Sequence, residues 1–258
     1  MPSNPYAEAL KQKKRPLFVP FVVLGDPDKR KSVEIIRTLV ESGADALELG
    51  FPFSDPPADG PVIQAADLRA LGAGIRIDDC FAILKHVRTF TKIPICLHTY
   101  YNLVLQRGGE KFFADAAAAM VDAILIPDLP LEHAHVTLSI AKKFGIAQAF
   151  IISELTTDAR MEEIAKVAAG YLYVVSYLGV TGVPDAIIEQ NIHATIQRAK
   201  KFTPLPCIVG FGIATPDQAK AAVRAGADGV IVGSRIVREV LNPTNVAGVC
   251  RLFVQSIG

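Results

Sequence analysis

Short β-branched and aliphatic runs alternate along this chain with longer stretches in which apolar residues return every three or four positions. The runs predict strands at Leu17 to Leu24, Ala46 to Leu49, Ile93 to Leu97, Ala123 to Ile126, Ile146 to Ile151, Tyr171 to Val175, Cys207 to Val209 and Gly229 to Val232. Their starts are 29, 47, 30, 23, 25, 36 and 22 residues apart. Each gap is long enough for the helix that a parallel crossover needs. Helical patterns fill the gaps at Lys31 to Glu41, Asp78 to Phe90, Gly109 to Ala119, Asp158 to Ala168, Ile187 to Lys201 and Pro216 to Ala225. Several open on Asp, Thr or Pro and close near Gly. A polar helix from Asn4 to Lys14 leads the series, and one from Thr244 to Ser256 trails it.

Residues Gly43 to Gly50 (GADALELG) echo Gly226 to Gly233 (GADGVIVG): a helix-ending glycine, a turn, a strand and a second glycine. Eight βα units with an internal echo predict an α/β fold, a closed (β/α)8 TIM barrel with an extra N-terminal helix, one domain over residues 1–258.

Composition narrows the partners. Among 258 residues, 27 Lys and Arg nearly cancel 26 Asp and Glu, for a net charge of +1, so no chain-wide field attracts nucleic acid or anionic lipid. The four cysteines Cys80, Cys96, Cys207 and Cys250 follow neither a metal-binding nor a disulfide spacing, and buried, reduced thiols are expected. Residues Met1 to Arg15 carry no apolar signal segment, and no apolar run approaches the roughly 20 residues of a membrane span. The expected location is the cytosol.

In a barrel of this kind the chemistry sits where the strands end. Asp26, Glu48, Tyr100, Asp128, Glu154, Ser176, the Gly210-Phe211-Gly212 turn and Gly233-Ser234 are the residues expected there. If Leu47 and Leu49 face the helices, Ala46 and Glu48 face the interior, and Ile231 holds the position of Glu48 in the echo strand. A carboxylate at an aliphatic position must be hydrogen-bonded or protonated. A general acid/base and a structural acceptor both meet that requirement. The Pro-punctuated connection Phe51 to Pro61 is longer than a turn requires, and its Asp59 is either a second carboxylate over the strand end or a turn or helix-capping residue.

Three glycine-bearing segments follow the last strands: Ser176 to Gly182, Gly210 to Ile213 and Gly233-Ser234. Exposed main-chain N–H groups there would bind phosphate without lysine or arginine. No lysine lies on a strand or its end, which argues against a Schiff-base mechanism. Only His98 of the five histidines lies near a strand end, so no metal is expected, and no GxGxxG opens a helix after the first strand.

The segments Leu47 to Pro56 (LELGFPFSDP), Ala58 to Pro61 with Ile63-Gln64, Phe18 to Phe21 with Gly25-Asp26-Pro27, Pro127 to Pro130, Gly179 to Gly182 and Gly210 to Ile213 together resemble the tryptophan synthase α chain family. The matches run from the first strand to the last. The resemblance implies retro-aldol cleavage of indole-3-glycerol phosphate to indole and glyceraldehyde 3-phosphate, in tryptophan biosynthesis. It implies Glu48 as general acid/base and Asp59 as the carboxylate that engages the indole N–H. It implies Phe21, Tyr173, Thr181 and Phe211 as substrate-binding residues, which Tyr100 joins by its place at a strand end, and Gly182, Gly212, Gly233 and Ser234 as the phosphate cradle. It implies a pyridoxal-phosphate-dependent β chain as partner in an α2β2 heterotetramer, docked at Asp55, Pro56, Asp128 and Pro130, with no cofactor in this chain. Two positions depart from the pattern. His98 stands where an aliphatic residue is expected near the indole pocket, and Pro57 follows Pro56 where a less rigid residue is usual.

Overall fold

A computed structural model describes residues 4–175 and 185–258. The chain runs through α1 (Pro5–Lys13), β1 (Leu17–Val23), α2 (Lys29–Glu41), β2 (Leu47–Gly50), α3 (Pro61–Gly72), α4 (Ile77–Val87), β3 (Ile95–His98), α5 (Tyr101–Arg107) and α6 (Gly109–Ala118). It continues with β4 (Ala123–Leu125), α7 (His135–Phe144), β5 (Ala147–Ile152), α8 (Asp158–Val167), β6 (Leu172–Val175), α9 (Asp185–Ala199), β7 (Cys207–Gly210), α10 (Pro216–Arg224), β8 (Gly229–Val232), α11 (Ser234–Val237) and α12 (Pro243–Ile257). The strands pair in chain order, all parallel, and β1 pairs with β8 to close the barrel, as the alternating pattern predicted.

The local chemistry explains most boundaries. Asp28 caps α2 by accepting from the Lys31 N–H, and Thr215 and Gln218 form a capping box around the Pro216 start of α10. The third strand begins at Ile95 and not at Ile93, because Pro94 has no N–H to give to a ladder. Four helices, α3, α5, α7 and α11, were not among the predicted ranges. Of these, α5 is seven residues long, stopped by Gly108 at φ 83°, too short for a periodic pattern to show. The four cysteines are free and buried.

The N-terminal helix covers the barrel's lower mouth. Asn4 caps it by accepting from the Tyr6 N–H at 3.1 Å, and its amide donates to the Gly170 carbonyl at 2.7 Å, just ahead of β6. Tyr6, fully buried, lies tilted against Tyr171 with ring centroids 4.8 Å apart.

The same lower end carries one device three times over. Asp45, immediately ahead of β2, accepts the Phe18 N–H of β1 at 2.9 Å and both arms of Arg15 at 2.8 and 3.1 Å. Its own N–H donates back to the Phe18 carbonyl at 2.9 Å. Asp122, ahead of β4, treats Ile95 of β3 in the same way and pairs with Arg88. Asp228, ahead of β8, does so with Cys207 of β7 and pairs with Lys200. Each aspartate therefore fixes the register of two adjacent strands and carries a cation from the preceding segment. The repeated Gly-Ala-Asp of the sequence is two of these three clamps.

Asp45 has a fully buried side chain, and its guanidinium partner is 22% exposed. Removing one member of such a buried pair typically costs about 3–5 kcal/mol. Asp45→Ala is therefore expected to lower the unfolding free energy by about that much in urea denaturation; a loss below about 1 kcal/mol would show that the clamp does not hold β1 to β2.

Candidate active site

Side chains at matched register positions of neighbouring strands share a face of the sheet. Phe21 is matched with Glu48, and Glu48 with Cys96, so Phe21, Glu48 and His98, two residues beyond Cys96, all project inward at the upper end. They line one cavity of about 110 Å³, with Tyr173 of β6 and Ile231 of β8 opposite. Asp59, Gly60 and Ile63 approach from the β2–α3 connection, and Phe211, Gly212, Gly233 and Ser234 from the segments after β7 and β8. A larger hollow, about 420 Å³, lies over the ends of β4 and β5, but its lining of Pro127, Leu129, Ile151, Leu155 and their neighbours includes no carboxylate or imidazole.

Two strand-end glycines make room for the aromatic walls. At Gly50 a β-carbon would stand 2.8 Å from the Phe21 ring, and at Gly210 one would stand 2.0 Å from the Tyr173 hydroxyl. These glycines let the rings of neighbouring strands lean across them. Phe211, at φ 55°, occupies the left-handed region that costs a non-glycine residue about 1–3 kcal/mol, and its ring lies 5.3 Å from Tyr173.

Glu48 is 1% exposed. Its Oε1 meets His98 Nδ1 at 2.9 Å, and its Oε2 has no hydrogen-bond partner among the described residues. Burial depresses the His98 pKa, but the hydrogen bond and charge of Glu48, then the charges of Asp59 and Asp67, outweigh it and raise the value above that of a free histidine.

Asp59 is half-buried and not a helix cap, since Gly60 holds that position in α3. Its Oδ2 accepts from the Tyr100 hydroxyl at 2.6 Å, while that hydroxyl accepts the Ala58 N–H at 3.3 Å. Tyr100, stacked on Phe53, is not among the residues lining the cavity, unlike the substrate contact expected of it; it holds the loop that carries Asp59. Burial, then Asp59, raises the phenol's pKa. Beneath the same loop Asp67 is 3% exposed, and burial above all, with the charge of Asp59, pushes its carboxyl up to about 8.

The remaining expected residues divide by position. Gly212, Gly233 and Ser234 join the cavity, with Gly233 at the start of α11, where no side chain caps the first N–H groups. Thr181 and Gly182, with Ser176, lie outside the described residues. Asp55, Asp128, Pro130 and Glu154 are exposed on the upper rim and Pro56 is half-buried beside them, while Asp26 is tied away from the cavity by two 2.8 Å bonds from Arg69. The sequence reading missed Gly60, Ile63 and Ala214 in the cavity wall and had Ile213 only as the end of a glycine-bearing segment. Ile231 was visible only as the echo partner of Glu48.

A family model described as tryptophan synthase alpha chain matches residues 7–251. The chain belongs to the tryptophan synthase alpha chain family. It is 49% identical to the tryptophan synthase alpha chain of Methanothermobacter thermautotrophicus over 91% of this chain and 87% of that one. Among solved structures, tryptophan synthase subunit alpha of Legionella pneumophila is 34% identical with a TM-score of 0.88, covering 99% of this chain and 98% of that one. The tryptophan synthase a2b2 complex of Pyrococcus furiosus includes a chain 32% identical with a TM-score of 0.84, covering 93% and 99%. The activity is that of an α chain, a lyase of tryptophan biosynthesis that cleaves indole-3-glycerol phosphate to indole and glyceraldehyde 3-phosphate.

Two outcomes follow from the packing. Gly210→Ala, by forcing Tyr173 aside, is expected to lower the melting temperature and to weaken binding of an indole-alkyl phosphate at least about tenfold, measured by calorimetry; unchanged binding would show that Tyr173 does not shape the cavity. Asp67 holds a proton in the folded state that the unfolded chain releases, so its contribution to stability is full below about pH 4 and is lost as pH rises through about 8. Asp67→Asn lacks this titration and is expected to lose less stability than the parent between about pH 5 and pH 8.5 in urea unfolding; parallel curves would refute the buried, raised carboxyl.

Proposed function

We propose that Glu48 is the general acid/base of the α reaction and that Asp59 engages the indole N–H. The observation that carries this reading is the position of Glu48, a buried carboxylate on the wall of the cavity with one oxygen held and the other without a protein partner among the described residues. A carboxyl group at that point delivers a proton to C3 of the ring. The carboxylate it becomes then takes the proton of the glycerol hydroxyl as the carbon–carbon bond breaks. The electron pair of that bond returns to the ring as neutral indole leaves, and the oxygen becomes the carbonyl of the aldehyde. One proton is given and one is recovered, so a single group serves both steps.

Positive charge builds on the indole nitrogen when C3 is protonated, and Asp59, aimed by Tyr100, is the carboxylate placed to balance it. Phe21, Tyr173 and Phe211 form apolar walls for the ring. The phosphate lies at Gly212, Gly233 and Ser234, with Gly182 and Thr181 completing the site. Main-chain N–H groups receive the anion there, for no lysine or arginine is among the described residues lining the cavity.

The partner is a pyridoxal-phosphate-dependent β chain in an α2β2 assembly, docked on the rim of Asp55, Pro56, Asp128 and Pro130. The cofactor belongs to that partner, and this chain needs none. The resemblance in sequence and the α2β2 complex among the similar structures support the reading. The assembly works in the cytoplasm; no helix among the described residues is long and apolar enough to cross a membrane.

Indole release from indole-3-glycerol phosphate, with and without a β chain, tests the assignment. General acid–base groups contribute about 10²–10⁴-fold, so Glu48→Gln is expected to lose that much in kcat, and Asp59→Asn about 10²-fold. Near parental turnover in Glu48→Ala would end the assignment of Glu48.

A further inference from the structure

His98 is the residue of the cavity that the family pattern leaves unexplained. It ends β3, two residues past Cys96, and its ring is fixed by an edge contact to Phe21 at 5.5 Å and a tilted contact to Tyr100 at 5.9 Å. Its side chain is 7% exposed against 1% for Glu48, and the 2.9 Å contact between Nδ1 and Oε1 is the one hydrogen bond that Glu48 makes through its carboxylate among the described residues. Nε2 is likewise buried with no hydrogen-bond partner among them. An aliphatic side chain at this position would leave the carboxylate with no such bond. Imidazole and carboxylate therefore form a pair held in one geometry from three strands, with one polar atom on each member unpartnered among the described residues.

We propose that His98 is a positioning residue of the α reaction, holding the Glu48 carboxylate toward the cavity through Nδ1 and setting the pH range in which that carboxylate works. The proposal rests on the reading of Glu48 as the acid/base. The titratable groups around the pair among the described residues are Asp59 from the β2–α3 connection, Asp67 from α3, Tyr100 beyond β3 and Tyr173 from β6, with Cys96 of β3, Tyr171 ahead of β6 and Tyr6 of α1 on the lower side, all three held protonated by burial. Both carboxylates favour the imidazolium, and the phenols of Tyr100 and Tyr173 are kept neutral by burial. An imidazolium is attracted to the carboxylate it touches, and that attraction is lost when His98 gives up its proton. Activity at the alkaline side is thus tied to a histidine that titrates above the ordinary range.

The test is the pH profile of kcat and KM for indole release over roughly pH 5 to 10, with parent, His98→Leu, His98→Asn and Glu48→Gln in parallel. His98→Leu is expected to lose about 10- to 100-fold in kcat near neutral pH, as misplaced catalytic groups do, with KM changed less than about threefold. The alkaline limb attributable to His98 disappears. His98→Asn, which keeps an N–H donor but no titrating proton, recovers most of kcat without restoring that limb. A His98→Leu profile that superimposes on the parent while Glu48→Gln is inactive would overturn the role of His98 alone. An active Glu48→Gln would remove the acid/base reading first, and this one with it. A direct measurement on the folded parent backs the series: the His98 imidazole nitrogen resonances titrate above pH 6.5 and shift downward in Glu48→Gln. A resonance that does not move on that substitution also overturns the proposal.

Discussion

A carboxylate withdrawn from water into an apolar barrel loses several kcal/mol of solvation unless it is paired, hydrogen-bonded or protonated, and Glu48 is held in that condition on the wall of the cavity. The parts of the upper barrel are arranged around this cost. β1 contributes Phe21, which walls the site and packs the edge of the imidazole. β3 contributes the imidazole, which supplies the hydrogen bond. The glycines at the ends of β2 and β7 contribute emptiness, which lets Phe21 and Tyr173 lean over the site and exclude water. In the proposed reaction the carboxylate oxygen left without a protein partner among the described residues is the one that meets substrate.

The two ends of the barrel meet their electrostatic demands by opposite means. At the lower end Asp45, Asp122 and Asp228 are each paired with a cation and bonded to a strand N–H, so their charges are neutralised where they fix register. At the upper end Glu48 and Asp59 meet neutral or switchable donors, an imidazole and a phenol, with no Lys or Arg bonded to either among the described residues. A guanidinium on Glu48 would lower its affinity for a proton and remove it from acid/base work. Asp26 shows the contrast: it stands close to the upper end, but its bidentate pairing with Arg69 makes it a tether for α3.

What could be read from the residues in order was what depends on neighbours in sequence. The β-branched runs marked all eight strands, and alternation along Ala46 to Leu49 turned Glu48 inward. The echo of Gly43 to Gly50 in Gly226 to Gly233 was legible as a repeat, yet its meaning was not, because each clamp joins an aspartate to a strand more than 20 residues earlier; the separations are 27 for Asp45 and 21 for Asp228. Asp122 carries the same device without the glycine and alanine that flagged the others. His98 was visible as a departure, but its contact with Glu48 spans 50 residues and needs the β2–β3 register to appear. Tyr100 was placed with substrate because it ends a strand; its bond to Asp59 depends on how a long proline-rich connection folds back, which no local pattern encodes.

The pairing of Glu48 with a histidine also bears on how a doubly charged phosphate ester can enter a cavity that already holds two carboxylates. Like charges about 4 Å apart cost about 4 kcal/mol at the effective dielectric of a protein surface, and a chain of net charge +1 offers no general field to offset that. In the proposed arrangement the imidazole of His98 lies against Glu48, and Asp59 faces the ring nitrogen, where positive charge develops. The phosphate then meets main-chain N–H groups at Gly212, Gly233 and Ser234, beyond β7 and β8, while Glu48 sits on β2. Separation along the barrel rim and the imidazole beside Glu48 thus do jointly what a lysine at the phosphate would do alone. They do it without placing a fixed cation next to the group proposed to give and take the proton.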